Sequence, residues 1–459
     1  LLGAVPFWLT GGIVDSYWDG LFESTSGLTT TGSSIFGSGG NSAISELPPS
    51  ILFWRSWLHW IGGIGIVVMF LIFLPFLGIS EKTLFQAEVA GVSKEGVKPR
   101  IRQSAAVLLR IYVAITMTLL LLYFAFGMNL FESICHAFAT IATGGFSTRD
   151  FSLGEFNSDA NTWGLGIELT AILGMLMAGT NFGLYHRAAQ QLKKGAHKRW
   201  SARILGLPRQ VLGVFMRDPE FRFYLTVYVL VVVILTLTLW TGGVTVDGAG
   251  STGRIHNAGL GSCARDTSFQ AASLISSTGF ANCNLLSWPM LGQFLIMTIM
   301  FGGGCGGSTG GGLKMARVLM VLKLLARALR RFLRPRSVEP LRFGTETVDQ
   351  DVIDRVLSLF VGWIAILMFG SILLIVFEPE LDGLSAFSSI LTALCNMGPG
   401  FTQLAGGVPA NLGGHDVGSY GSFGFLSPTS KAMMSFVMIL GRLEVFTLLV
   451  VFLPDFWRD

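Results

Sequence analysis

Long uncharged stretches, separated by loops of strongly one-sided charge, constrain this chain more than any other feature. The runs are Ser56–Ile79, Ile111–Leu130, Leu169–Tyr185, Phe223–Val246, Leu285–Leu313 and Val356–Phe377, with a further one, Ala432–Leu453, interrupted by Arg442 and Glu444. A bilayer core is crossed by about 20 apolar residues in helical form, so each run predicts a span. The opening stretch, Leu1–Thr10, is too short to cross and lacks the charged head of a signal peptide. It reads as the end of a spanning helix that begins outside this sequence, giving eight spans.

Composition agrees. The 459 residues are 51% hydrophobic and 13% charged, with mean hydropathy +0.60, whereas soluble domains are about a quarter charged. An ordinary cytosolic enzyme and a disordered chain are both excluded. The net charge of +4 points to no nucleic-acid partner. Five cysteines show no CxxC spacing, so no metal cage is visible, and the spacing of Cys263 and Cys283 leaves a disulfide between them open.

Charge placement gives a topology. Lys and Arg number five in Ser80–Gln103, nine in His186–Arg222 and ten in Lys314–Arg355, together 24 of 32. By the positive-inside rule these three segments face the cytoplasm, and two full spans separate each from the next. The arithmetic closes only if Gly20–Phe36, Phe131–Phe146, Phe269–Ala281 and Gly383–Phe401 do not cross. Each is too short or too polar, and each is predicted to be re-entrant, which requires surrounding protein or water. The opposite face holds fifteen Asp and Glu against Arg55, Arg149, Arg254, Arg265 and Lys431, a field that concentrates cations.

The unit of span, re-entrant segment and span therefore occurs four times, with expected boundaries 1–79, 80–190, 191–330 and 331–459. The fold class that follows is an all-α polytopic membrane protein with four helix–pore loop–helix repeats in pseudo-fourfold array around one pore. Each re-entrant segment ends in a small-residue turn: Thr30-Thr31-Gly32-Ser33, Ala142-Thr143-Gly144-Gly145, Ser277-Thr278-Gly279-Phe280 and Asn396-Met397-Gly398-Pro399. Aligned on Gly32, Gly144, Gly279 and Gly398, the turns are 112, 135 and 119 residues apart. Four such turns on one axis can present backbone carbonyls to a dehydrated monovalent cation, in backbone conformations that glycine tolerates. A lone Thr-Gly pair would be an ordinary turn; four in matching gaps point to a filter.

Gly302–Gly312 holds eight glycines in eleven positions inside the sixth of the eight spans. Each glycine costs about 1 kcal/mol in a helix interior relative to alanine, so the helix breaks here and the loop is a candidate gate. The residues concerned are Gly302, Gly303, Gly304, Gly306, Gly307, Ser308, Thr309, Gly310, Gly311, Gly312 and Lys314. Gly302, Gly304 and Gly307 spell GxGxxG without a βαβ setting, and Gly312-Leu313-Lys314-Met315 is not a phosphate-binding loop. Arg442, deep in the last span, needs a partner, and carbonyls of the glycine loop would provide one; Glu444 lies off its helix face. His59, His136 and His186 are isolated and read as polar interface residues. The basic amphipathic segment Arg317–Arg336 fits lipid headgroups or a cytosolic partner. No HExxH, GxSxG or clustered acidic pair is present, so no enzyme is indicated. A proton- or sodium-coupled symporter would have to draw on Arg442, Glu444 or Glu168.

The strings GLTTTGSS (27–34), HAFATIATGGFSTRD (136–150), ISSTGFA (275–281), ALCNMGPGF (393–401), GGCGGSTGGGLK (303–314) and GRLEVFTLL (441–449) resemble the TrkH/KtrB/HKT superfamily of potassium transporters, and its bacterial TrkH branch most closely. RDPEFR (217–222) shares in the likeness, which runs over essentially the whole chain. The resemblance implies four repeats around one pore in the bacterial inner membrane, a homodimer, and potassium as substrate. Gly32, Gly144, Gly279 and Gly398 would be the filter glycines, with Thr31, Thr143, Thr278 and Met397 lending carbonyls. A Ser at the first of these goes with sodium permeation in plant relatives, so four glycines favour potassium. The loop 302–312 and Arg442 would form the intramembrane gate. No cofactor is implied for this chain; ATP/ADP or NAD would sit on a cytosolic regulatory ring of the TrkA/KtrA type docked on the basic face. The branch carries further N-terminal helices than appear here, and Met397 departs from many relatives.

Overall fold

The computed structural model describes residues 1–37, 40–73, 97–157, 159, 162–195, 211–241, 259–334, 340–344, 346–402, 404–405, 408–409 and 416–443. Arg254, Glu444 and most of the first basic segment lie outside these residues. The described chain is helical apart from two hairpins of two-residue strands, Arg342–Phe343 with Glu346–Thr347 and Leu404–Ala405 with Val408–Pro409.

The helices fall into four sets. The first holds α1 (Val5–Leu9), α2 (Tyr17–Leu28) and α3 (Pro49–Phe73). The second holds α4 (Val97–Ala125), α5 (Leu130–Ile141), α6 (Gly164–Ala178) and α7 (Phe182–Gly195). The third holds α8 (Pro219–Thr241), α9 (Leu260–Ile275), α10 (Met290–Gly302) and α11 (Met315–Leu333). The fourth holds α12 (Gln350–Phe377), α13 (Gly383–Cys395) and α14 (Pro428–Arg442). Ala105–Ala125, Pro219–Thr241 and Gln350–Phe377 are long and apolar enough to cross a membrane. Val361, Met368, Phe369, Ile372 and Val376 on α12 are exposed, an apolar face suited to lipid rather than water.

The middle helix of each set, α2, α5, α9 and α13, has 12, 12, 16 and 13 residues. At 1.5 Å per residue these reach about 18–24 Å, short of a crossing. Side chains fix three of their starts: Ser16 in a capping box with Asp19, Asn129 accepting from Glu132 N, and Asp382 accepting from Ser385 N. Each short helix also packs on the closing helix of the preceding set: α5 on α3, α9 on α6, α13 on α10, and α2 on α14. The last contact joins the fourth set to the first and closes the cycle.

One expected span is not continuous. Leu169–Tyr185 predicts an unbroken helix, but the chain bends by 96° between α6 and α7. The break falls at Gly179-Thr180-Asn181, and it frees backbone that the glycine loop uses: Gly179 O accepts from Cys305 N at 2.8 Å, and Gly307 O accepts from Phe182 N at 3.0 Å. Hydropathy carries no trace of such a break, because the residues around it stay apolar. Cys263 and Cys283 are both free and buried, so the disulfide left open by their spacing is not formed.

Candidate functional site

All four short helices end in the same way. The first residue past each C-cap, or the cap itself in α13, is left-handed: Thr30 at φ 53°, Thr143 at 54°, Ser277 at 61° and Asn396 at 53°. Its amide reaches back three residues, to the carbonyls of Gly27, Thr140, Leu274 and Ala393. The next amide reaches back five, Thr31 to Ser26, Gly144 to Ala139, Thr278 to Ser273 and Met397 to Thr392, at 2.8–3.1 Å. These paired bonds are a Schellman cap, which ordinarily has glycine at the left-handed position. Threonine there costs roughly 1–2 kcal/mol, and such strain gathers at functional turns. Two residues later comes a second positive φ: Gly32 at 85°, Gly145 at 83°, Gly279 at 83° and Gly398 at 87°.

This register corrects the second turn. The sequence alignment places Gly144 with Gly32, Gly279 and Gly398, whereas the cap places Gly144 with Thr31, Thr278 and Met397 and makes Gly145 the glycine of the turn. Two further observations agree. The residue nine before the turn glycine is polar in all four sets and in the first three bonds its own descending limb. Glu23 accepts from Ser34 Oγ at 3.0 Å, His136 Nε2 pairs with Ser147 Oγ at 3.0 Å, and Gln270 donates to Asn282 Oδ1 at 3.2 Å. A cavity of about 60 Å3 is lined by Gly32, Gly145, Gly279 and Gly398. With two adjacent glycines, sequence alone had no means of choosing between them.

The four turns form a closed ring of backbone on backbone. A Cβ on Gly32 would strike Gly144 O, one on Gly145 Thr278 O, and one on Gly279 Met397 O; one on Gly398 would lie 3.1 Å from Thr31 O. Each glycine thus abuts the carbonyl that precedes the next turn's glycine. Cross-links add to this: Ser33 Oγ donates to Gly398 O at 2.9 Å, and Asn396 Nδ2 donates to Thr31 Oγ1 at 2.9 Å and to Met438 O at 3.0 Å.

Around the ring, on the side where the short helices begin, each described cation is neutralised. Arg55 pairs with Glu23 at 2.7 Å, both fully buried. Arg149 pairs with Glu132 at 2.7 Å and Glu155 at 3.2 Å, and Lys431 pairs with Asp19. Arg265 pairs with Glu168, and Asn157 bonds both partners. Removing one member of a buried pair costs about 3–5 kcal/mol, so Arg55 and Glu23 are fixtures of the wall.

The glycine loop lies against the other ends of the short helices. Thr309 is fully buried, and its Oγ1 donates to Ile141 O at 3.0 Å and Ala178 O at 3.1 Å. Gly311 N donates to Ser277 Oγ at 2.6 Å, and a Cβ on Gly311 would strike Cys395 O. The loop therefore touches the ends of α5, α9 and α13. Arg442 donates from Nη1 to Thr309 O at 2.8 Å, while its Nε and Nη2 have no partner among the described residues. Lys314 Nζ donates to Gly310 O. Gly303, Gly307 and Gly312 have positive φ, as does Lys314 at 71°. Gly302 closes α10, and Met315 N donates to Gly304 O at 3.1 Å.

Sequence reasoning missed Glu220. Its Oε1 accepts from Gly306 N at 2.7 Å and from Ala316 N at 3.0 Å, bracketing the glycine loop from α8. The one available signal was a carboxylate at the mouth of an apolar run, within RDPEFR.

The family's sequence model, described as a cation transport protein, TrkH, matches residues 12–458. The chain is 34% identical over 459 residues to the Trk system potassium uptake protein TrkH of Escherichia coli K12, covering 100% of this chain and 83% of that protein. It is 30% identical to the TrkG protein of the same organism, again over 100% and 83%. The crystal structure of the potassium transporter TrkH from Vibrio parahaemolyticus superposes with a TM-score of 0.78 at 31% identity, over 99% of this chain and 82% of that one. With four capped turns closed in a ring, one glycine loop beneath them and this likeness along its full length, the chain belongs to the TrkH family of cation transport proteins.

Proposed function

We propose that this chain is a potassium uptake subunit of a Trk system, passing potassium inward across the bacterial cytoplasmic membrane through the ring of four turns. The observation that carries the reading is ring closure: four identical caps set four stretches of strained backbone around one axis. A dehydrating cation there exchanges water for carbonyl oxygens of residues 30–32, 143–145, 277–279 and 396–398. The short helices end at this ring, so the negative ends of their dipoles favour a cation beneath it. Among the described residues, the neutralised wall leaves no bare positive charge beside the entrance.

Gly302–Gly312 is the gate, held across the path by Arg442, Glu220 and Thr309. Its release is assigned to a cytosolic nucleotide-binding ring that docks on the basic segments, and the working unit is a homodimer in lipid. Bound ATP/ADP or NAD belongs to that ring. The basic segments face the cytoplasm and the turns open outward. Glu168, on which a coupled symporter would draw, is committed to Arg265 and Asn157.

The test is the reversal potential of the purified protein in planar bilayers under a potassium gradient, with and without opposing proton or sodium gradients. Reversal at the potassium equilibrium value, unmoved by the other gradients, is expected. A reversal that follows protons or sodium at a fixed ratio would replace this reading with coupled transport.

A further inference from the structure

The residue before the turn glycine is Thr31, Thr278 or Met397 in three turns and Gly144 in the second. What occupies the space of the absent side chain is the ring of His59: a Cβ on Gly144 would collide with its Nδ1, Cγ and Cε1. His59 comes from α3, in the preceding repeat. It is 0% exposed and stacks on Phe146 at 4.2 Å and 18° between planes. Arg55, one helical turn before it, places its guanidinium 4.1 Å from the same ring and is anchored by Glu23. A continuous chain of contacts thus runs from the short helix of the first repeat to the turn of the second.

In the second and fourth repeats the equivalent position is methionine. Cβ atoms on Gly62 and Gly441 would each strike the carbonyl four residues before their own turn glycine, Leu28 and Leu394. Gly63 and Gly179 each meet the residue three before the next turn glycine, Ala142 and Ser276. Gly63, Gly179 and Arg442 are therefore counterparts, and one turn earlier so are His59, Met175 and Met438, all fully buried. Neither nitrogen of His59 has a hydrogen-bond partner among the described residues. Burying an unpaired polar ring is disfavoured relative to a thioether, so packing alone gives no reason for histidine here. What histidine adds over methionine is a rigid flat face, which can fix Phe146 and the turn that precedes it.

We propose that His59 is a specificity-determining positioning residue: its ring replaces the side chain missing at Gly144 and sets where the second turn presents its carbonyls. This rests on the reading of the ring as a potassium filter. The test uses the purified full chain in planar bilayers, comparing potassium-to-sodium permeability ratios of the wild type, His59→Ala, Gly144→Ala and the double variant. Each single change is expected to lower the ratio about tenfold, and the double variant to return within about threefold of wild type, because removing the ring makes room for the new Cβ. A wild-type ratio in folded His59→Ala, or losses that simply multiply in the double variant, would overturn the proposal. Should His59→Ala fail to fold, His59→Met, which copies positions 175 and 438, takes its place with a smaller loss expected and an unchanged ratio overturning it. A wild type that does not select potassium would instead remove the filter reading itself.

Discussion

The ring of turns and the glycine loop are both rich in glycine, yet the loop carries side-chain bonds on top of its backbone contacts. In the ring, glycine is where backbone meets backbone: Gly32, Gly145 and Gly279 leave no room for a Cβ against the neighbouring carbonyl, and all four turns share one cap. The loop occurs in one repeat only; it too meets backbone, as at Cys305 N to Gly179 O and Gly311 against Cys395 O, but it is held in addition by side chains, among them Arg442, Glu220, Ser277 and Lys314. Backbone contact around a closed cycle cannot loosen at one point without straining the rest. Side-chain bonds can be released one by one. The first construction suits a fixed aperture and the second a part that moves.

The strongest way to break this contrast is to put a side chain into the ring. Gly145→Ser and Gly279→Ser are expected to abolish selectivity, lowering the potassium-to-sodium permeability ratio by about a hundredfold, since they add both a collision and an unfavourable φ. Gly32→Ser belongs with them. Gly398→Ser is expected to be the mildest of the four, because its Cβ would sit 3.1 Å from Thr31 O. Reversal potentials of the four variants give the order directly. A harmless Gly145→Ser would return the second turn to the register in which Gly144 is its glycine.

How much of this was legible beforehand depends on what kind of signal each part leaves. Four gaps between spans, each closing on a small-residue turn, were readable because hydropathy and positive charge are properties of segments. The glycine loop and Arg442 were readable because eight glycines and a lone arginine are extreme in a membrane span. The register of the second turn was not, since Thr143-Gly144-Gly145 offers two glycines and only the cap's hydrogen bonds decide. The bend at Gly179 was hidden by apolar neighbours. Glu220 reaches 86 residues along the chain to Gly306 within its own repeat, and His59 packs against the turn of the next repeat, and such pairings leave no local pattern.

Releasing the loop is the next largest effect. Deleting Gly306–Gly311 is expected to raise potassium flux and free it from any regulator; loss of flux in a folded protein would make the loop a structural part. Arg442→Gln removes a hydrogen bond from a charged donor, worth about 1.5–3 kcal/mol, and so should shift the closed-to-open balance about ten- to a hundredfold. Glu220→Gln keeps the acceptor oxygen for Gly306 N and Ala316 N but drops the charge, so a few-fold rise is expected. Single-channel open probability checks both. If Glu220→Gln opened the pore more than Arg442→Gln, the main latch would lie at the flank of the loop and not at Thr309.

The smallest effect should come from the outer support of the fourth turn, and its sign is informative. Asp416 accepts from Thr402 Oγ1 at 2.9 Å and from Gly418 N at 2.7 Å, and the next residue's carbonyl accepts from Gly400 N at 2.7 Å. Burial pushes its carboxyl above the usual range, against the lowering effect of those two bonds. A raised acid contributes stability that is complete below its unfolded value and is lost as pH rises through the folded one. Asp416→Asn keeps the accepting oxygen and cannot ionise, so it should match the wild type near pH 4 and exceed it by about 1–2 °C in Tm at pH 8. Permeability ratios should not move. A variant less stable than wild type at pH 8 would mean that the carboxylate's charge, and not its hydrogen bonds, braces this turn. The ring would then depend on a releasable charge in the way the glycine loop does.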